Sequence, residues 1–153
     1  MMEMRMLIRQ VSRRLHEEHE AVIALCARLE ATLAAGKSDA ALMRDAAAAL
    51  AGEVERHFAF EERDLFPRLG AAGEGDMVEL FLEEHVAIRA AAKRFIALVK
   101  ANPLDAALKP VGLELAERLA SHAQKEELSL LPALEDLLNE ETDDELASAY
   151  ASL

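Results

Sequence analysis

Six histidine and glutamate residues recur at nearly the same spacing in the two halves of the chain. They are His19, His57 and Glu61 in the first half, and His85, His122 and Glu126 in the second. The interval is 66 residues from His19 to His85, and 65 residues from His57 to His122 and from Glu61 to Glu126. Chance rarely produces such a repeat, so each half is predicted to supply the same three side chains to one site.

These residue types have the chemistry of metal ligands. Side chains four residues apart share a helix face, so His57 and Glu61 point the same way, as do His122 and Glu126. Both pairs lie on an apolar stripe, where an ionised carboxylate is costly to bury unless it is paired or metal-bound. Imidazole and carboxylate ligands suit iron, manganese and zinc. Four imidazoles and two carboxylates are therefore predicted to hold two metal ions.

Each part of the pattern also has an ordinary structural interpretation. A single histidine on an apolar stripe is usually a packed core residue, and a His–Glu pair at a spacing of four is often a surface pair. The internal repeat favours the metal site, because both pairs lie on apolar stripes and both have an upstream histidine at the matching place.

Composition and charge exclude several other classes of protein. The 153 residues carry a net charge of −12 and no basic stripe, which argues against nucleic-acid binding. Cys26 is the only cysteine, so an internal disulfide is impossible and a reducing compartment is expected. The N-terminal residues lack the apolar core of a signal peptide, and no apolar run of about 18 residues could span a bilayer. We therefore expect a cytoplasmic protein with no membrane partner.

Turn residues divide the chain into four long helices and a short last one. The predicted ranges are about 4–34, 38–69, 76–100, 102–139 and 142–152. Ser38 or Asp39, Asp76, Asn102 and Thr142 are the predicted N-terminal caps. Pro110 either kinks the fourth helix or marks its true start.

Short connections between long helices favour antiparallel neighbours. The expected fold is all-α, an up-down-up-down antiparallel four-helix bundle with a short C-terminal helix. Apolar positions repeat together with the ligand candidates, since Leu50, Val54 and Leu65 recur as leucines 65 residues later. We expect residues 1–153 to form one domain with an internal repeat, about 15–70 and 81–138.

The same residues resemble the hemerythrin-like family, also called HHE cation-binding domains. The resemblance rests on Glu18-His19 and Glu84-His85, on His57-Phe-Ala-Phe-Glu61-Glu62 and His122-Ala-Gln-Lys-Glu126-Glu127, and on the trailing Leu-Phe-Pro67 and Leu-Leu-Pro132. It covers about residues 15–138. It implies a bundle with a non-haem di-iron centre. By this resemblance the four histidines are terminal ligands, and Glu61 and Glu126 bridge the two irons with an oxo or hydroxo group.

Two departures distinguish the chain from oxygen-carrying hemerythrins, which have a fifth histidine one turn before the position of His85. Here that position is Phe81, and the second carboxylate is Glu126 rather than an aspartate one residue later. The site looks closer to bacterial di-iron proteins linked to nitrosative or oxidative stress. We do not expect a separate cysteine-bearing domain of the iron–sulfur repair type.

His16 is an additional candidate, because it lies one turn before His19 and could share its face. It is either a fifth ligand, a neighbour of the ligands, or a surface residue. Its repeat counterpart is Leu82, which predicts no symmetric role.

Three functions fit the predicted centre. The first is a binding protein or sensor for O2 or NO, the second an enzyme acting on peroxide or NO or an iron donor for cluster repair, and the third a metal-responsive interaction module. Zinc or manganese could replace iron. The sequence leaves open whether the protein is a monomer or a homodimer.

Overall fold

The computed structural model describes residues 6–153, and within that range the regular structure is helical, with no strand. We label the five helices α1 to α5. Helices α1, α3 and α5 span Gln10–Ala34, Gly75–Ala101 and Glu140–Ala151. Helix α2 consists of the consecutive segments Ala40–Ala49, Leu50–Val54, Glu55–Phe60, Glu61–Leu65 and Phe66–Ala71. Helix α4 consists of Leu108–Lys125, Glu126–Leu130 and Leu131–Leu137.

Helices α1 to α4 form the predicted up-down-up-down bundle, and α5 lies against α1. Helix α1 packs along α4, and α3 packs against both α2 and α4. Two clusters of buried apolar side chains fill the interior, one including Leu29 and Phe95 and the other including Leu15 and Phe66. On each long helix the repeated polar residues lie between these clusters. The fold therefore surrounds them with apolar side chains at both ends.

Both repeated glutamates begin a π-helical turn, in which backbone hydrogen bonds join residues that are five positions apart. These turns are Glu61–Leu65 and Glu126–Leu130. The amide of Phe66 donates to the Glu61 carbonyl, and the amide of Leu131 donates to that of Glu126. A proline follows each turn, and its ring clashes with the carbonyl four residues earlier, which favours widening of the helix there. Such turns are frequent at functional sites.

The start of α1 differs from the prediction. Met4, the predicted first residue, lies outside the described residues, and residues 6–9 are not helical. Their conformation follows from two buried carboxylates elsewhere in the chain. Glu135 accepts from the amides of Ile8 and Arg9 at 2.6 and 2.9 Å. Asp143 accepts from the first two amides of α1 at 2.9 and 3.0 Å. Local sequence carries no sign of caps supplied from 126 residues or more away.

The other predicted caps had mixed outcomes. Asp39 caps α2 by accepting from the Leu42 amide at 2.9 Å, as predicted. The caps at Asp76, Asn102 and Thr142 were wrong. Helix α3 begins with no side-chain cap, and Asn102 ends α3 rather than starting α4.

A proline marks the start of α4, and an asparagine cap marks the start of α5. Helix α4 begins at Leu108, which places Pro110 in the first turn, where no intrahelical amide bond is lost. Asn139 caps α5 in a reciprocal arrangement with Thr142. In residues 6–153, no helix combines the length and the hydropathy needed to cross a bilayer.

Candidate metal centre

The six repeated side chains meet in the middle of the bundle. Helix α1 contributes His19, α2 contributes His57 and Glu61, α3 contributes His85, and α4 contributes His122 and Glu126. All six are buried, and Glu61, His85 and Glu126 have no exposed surface. The sequence pattern therefore identified side chains that the fold does bring together.

These side chains form two groups, each able to hold one metal ion. One group is His19, His57, Glu61 and Glu126, and the other is Glu61, His85, His122 and Glu126. Within each group the candidate ligand atoms lie within 4.8 Å of one another. Glu61 and Glu126 belong to both groups, which is the arrangement that a bridging carboxylate requires.

Each shared carboxylate directs one oxygen to each group. Glu61 Oε2 lies 3.2 Å from His57 Nε2, while Glu61 Oε1 lies 3.1 Å from His85 Nε2. Glu126 Oε1 lies 2.8 Å from His19 Nε2, while Glu126 Oε2 lies 3.4 Å from His122 Nε2. Two ligand atoms bonded to one ion at about 2.1 Å and about 90° apart are separated by about 3 Å. The observed separations fit this spacing.

The ring nitrogens of His85 and His122 give a further test of fit. Their Nε2 atoms lie 3.2 Å apart, while each Nδ1 faces a carboxylate, that of Glu62 at 2.7 Å and that of Glu84 at 2.8 Å. A carboxylate partner at Nδ1 orients each ring so that its Nε2 faces the candidate site, as on a histidine that binds metal.

Two carboxylate oxygens of the site have no hydrogen-bond partner among the described residues. They are Glu61 Oε1 and Glu126 Oε2, both fully buried. A buried acceptor without a partner is costly, especially when it carries charge. Since these are the two oxygens that face His85 and His122, a cation bound there would satisfy them. The residues therefore fit metal binding on geometry as well as on chemistry.

An outer ring of four glutamates orients the histidines. Besides Glu62 and Glu84, Glu18 accepts from His57 Nδ1 at 2.8 Å, and Glu127 lies 3.7 Å from His19 Nδ1. Histidine ligands commonly donate their second ring N–H to such a carboxylate, which fixes the ring orientation. The repeat pairs Glu18 with Glu84 and Glu62 with Glu127. Glu62 and Glu127 therefore contact histidines of neighbouring helices.

Each outer glutamate has its own anchor, and here the two halves differ. Arg89 donates to Glu62 at 2.6 Å, and Lys125 donates to Glu84 at 2.5 Å. Tyr150 from α5 donates its hydroxyl to Glu18 at 2.5 Å. Neither the role of Glu18 and Glu84 nor that of Tyr150 was assigned from the sequence. The glutamates carried a signal, since they repeat beside His19 and His85, but Tyr150 has no repeat counterpart.

His16 belongs to neither of the two groups. Its Nδ1 lies 2.5 Å from Glu127 Oε1, and its Nε2 contacts Glu20. It is half-buried and positions Glu127 beside His19. Cys26 is buried among apolar side chains, as expected, and burial raises the pKa of its thiol to about 12.

Aromatic rings close the site on the side of the second group. Phe58 stacks on His85 with ring centres 3.8 Å apart, and Phe81 meets His122 edge-on at 5.4 Å. Phe66 lies 5.5 Å from His85. These buried rings exclude water and strengthen electrostatic interactions within the centre.

Charges within the centre shift the pKa values of several groups. Burial alone lowers the pKa of His19, but the carboxylates of Glu126 and Glu127 outweigh it and raise that pKa to about 9. The pKa values of His57 and His122 are also raised, because nearby carboxylates outweigh burial. Burial raises the pKa of Glu126, but the surrounding hydrogen bonds hold it well below its usual range.

The fold and the site define a four-helix bundle with a buried histidine and glutamate cluster able to hold metal. A family model, the hemerythrin HHE cation binding domain, matches residues 10–143. The chain therefore belongs to the hemerythrin HHE family, and the resemblance seen in its sequence is confirmed. No curated protein and no solved structure matched the chain. Cation binding is the property that the family supplies, and the two groups are the side chains that could provide it.

The raised pKa of His19 predicts how pH affects the metal-free protein. Because its pKa is about 9 in the folded state and about 6.5 when unfolded, protonation stabilises the fold. This contribution is complete below about pH 6.5 and is lost as the pH rises through about 9. Urea unfolding of chelator-treated protein should show the decline. Iron-loaded protein should lack it, because a metal ion replaces the proton. The same pH dependence of the unfolding free energy in the metal-free and iron-loaded forms would contradict the role of His19 as a metal ligand.

Proposed function

We propose that this protein is a non-haem di-iron protein that binds O2 or NO at a carboxylate-bridged pair of iron ions. In this proposal His19 and His57 are terminal ligands of one ion, and His85 and His122 of the other. Glu61 and Glu126 bridge them. The observation that carries the proposal is the division of each buried carboxylate, with one oxygen facing each pair of histidines.

Iron is the proposed metal because the resemblance to hemerythrins implies it and the ligand set suits it. Imidazole with carboxylate suits iron, manganese and zinc, and bundle cores are recurrent sites for di-iron and di-manganese carboxylate centres. A structural zinc site is normally closed by four ligands in a tetrahedron. Here the two carboxylates are shared between the groups, which favours a pair of adjacent ions. The buried Cys26 thiol and the absence of other cysteines suit a cytoplasmic protein.

Binding of a diatomic ligand follows from the number of protein ligands. Each group offers four side chains, two histidines and two glutamates. An ion with six coordination positions would keep open positions for a small ligand, and ferrous iron supplies the electrons that bind O2 or NO there. The absence of a fifth histidine at Phe81 leaves the protein ligands evenly divided. The outer glutamates keep the imidazoles oriented while the ligand binds and leaves.

Gas titration of anaerobically iron-loaded protein tests this function. We expect saturable binding of NO, and a visible spectrum with O2 that disappears on deoxygenation. The apolar surroundings favour reversible binding because they limit access of water and reductants. Consumption of NO or peroxide in large excess over the iron would instead identify an enzyme. An unchanged spectrum with either gas would contradict the proposal.

Removal of one shared carboxylate should release both ions. Glu126→Ala deletes a ligand of each group, and the remaining histidines of both groups lose a partner. We expect at least about a tenfold loss of iron affinity at both sites. His16→Ala is the matched control, because it removes a nearby histidine outside both groups. Elemental analysis after gel filtration measures the outcome, and equal iron in Glu126→Ala and the original protein would overturn the bridging role.

Loss of one outer glutamate should weaken the centre without removing a ligand. Glu84→Ala leaves His122 Nδ1 without its carboxylate, and changes at such positions typically cost about 10–100-fold in metal affinity. Glu83→Ala, at the exposed neighbouring position, removes the same charge and should leave affinity unchanged. Competition with a chelating dye reports both affinities. Equal losses in the two variants would show that net charge, not orientation of His122, controls binding.

A further inference from the structure

A cavity leads from the surface to the candidate metal centre. It lies between α1, α2 and α4 and has a volume of about 280 Å³. Its inner end is formed by four of the six candidate ligands, His19, His57, His122 and Glu126. The rest of its wall is mainly apolar, with Val22, Leu25, Val54, Phe58 and Leu119 among the lining residues.

The cavity is much larger than a diatomic ligand needs. A water-sized molecule takes about 30 Å³ of liquid volume, and an apolar cavity of about 150 Å³ holds one benzene. A volume of about 280 Å³ therefore matches a molecule of about ten non-hydrogen atoms. Its lining has the usual composition of a small-molecule site, an apolar wall with a few polar groups at one end.

The internal repeat provides a comparison within the same molecule. The counterpart groove, between α3 and α4, has a similar volume of about 320 Å³, but none of the six candidate ligands lines it. Ala49, which lines the cavity, is replaced there by Glu114, and Lys125 also lines the groove. Lys125 forms an ion pair with Glu84 that joins α4 to α3. The two halves therefore share their ligands but not their access. Two of the three histidines at the cavity, His19 and His57, belong to the same proposed ion.

We propose that this cavity binds a neutral, mainly apolar organic molecule of about ten non-hydrogen atoms beside the ion held by His19 and His57. The apolar wall selects an apolar body. An anion is disfavoured because Glu18 and Glu53 line the cavity with a single arginine, Arg56, and the chain carries a net charge of −12. A cation is disfavoured because the apolar wall cannot replace its hydration. The position relative to an ion rests on the proposed function, whereas binding in the cavity does not.

Titration calorimetry with indole and para-cresol tests the proposal on both the metal-free and the iron-loaded protein. We expect one molecule bound per chain in each form. Val22→Phe fills the inner part of the cavity, and Ala21→Phe narrows its mouth. Each should weaken indole binding at least about tenfold. The matched control is Ala87→Phe, at the repeat counterpart of Ala21 in the other groove, and it should leave binding unchanged.

The outcomes separate this inference from the proposed function. Iron content and NO binding are measured on the same samples, and none of the three substitutions removes a candidate ligand. Normal iron and NO binding without indole or para-cresol binding would overturn the cavity assignment alone. Equal indole binding in Val22→Phe, Ala21→Phe and Ala87→Phe would also overturn it. Indole binding in a protein that takes up no iron would support the cavity and contradict the di-iron proposal.

Discussion

Two carboxylates buried among four imidazoles impose the main constraint on this protein. Glu61 and Glu126 have no exposed surface, and apolar clusters lie on both sides of them along the bundle. An ionised pair in such a place is strongly unfavourable without compensating positive charge. Nearby carboxylates raise the pKa values of His19, His57 and His122, so protons there provide positive charge in the metal-free protein, and metal ions can provide more of it. The π-helical turns, the outer glutamates and the aromatic rings all serve to hold this arrangement.

The internal repeat makes the centre nearly symmetric, but the side chains that surround the centre are not symmetric. Glu62 and Glu84 are anchored by cationic side chains, whereas Glu18 is anchored by Tyr150 from the added helix α5. That helix also supplies Asp143, which caps the start of α1. The C-terminal helix therefore stabilises the half of the bundle beside which the cavity opens. The ligands are symmetric, but four of them line the cavity between α1, α2 and α4 and none lines the counterpart groove. We expect this arrangement when the incoming molecule meets one of the two ions.

Much of the centre could be predicted because its ligand candidates lie close together in the sequence. His57 and Glu61 share a helix face in any α-helix, because they are four residues apart. The repeated pair, His122 and Glu126, identified the other half of the centre. The four long helices followed from apolar periodicity and from turn residues such as Gly36. Family membership confirmed the helical bundle and the cation-binding class that the pattern predicted.

What escaped prediction depends on contacts between distant segments. The start of α1 is set by Glu135 and Asp143, and no local signal marks either residue as a cap. Tyr150 reaches Glu18 across 132 residues and has no repeat counterpart. The lining of the two grooves differs at single positions, such as Ala49 against Glu114. Their effect is visible only when neighbouring helices are in place.

We propose that one chain holds two adjacent metal ions. Elemental analysis of protein loaded anaerobically with ferrous iron, and then freed of excess metal, is the decisive test. We expect two irons per chain, since the two groups share both carboxylates and should fill together. One iron per chain, or none, would contradict it.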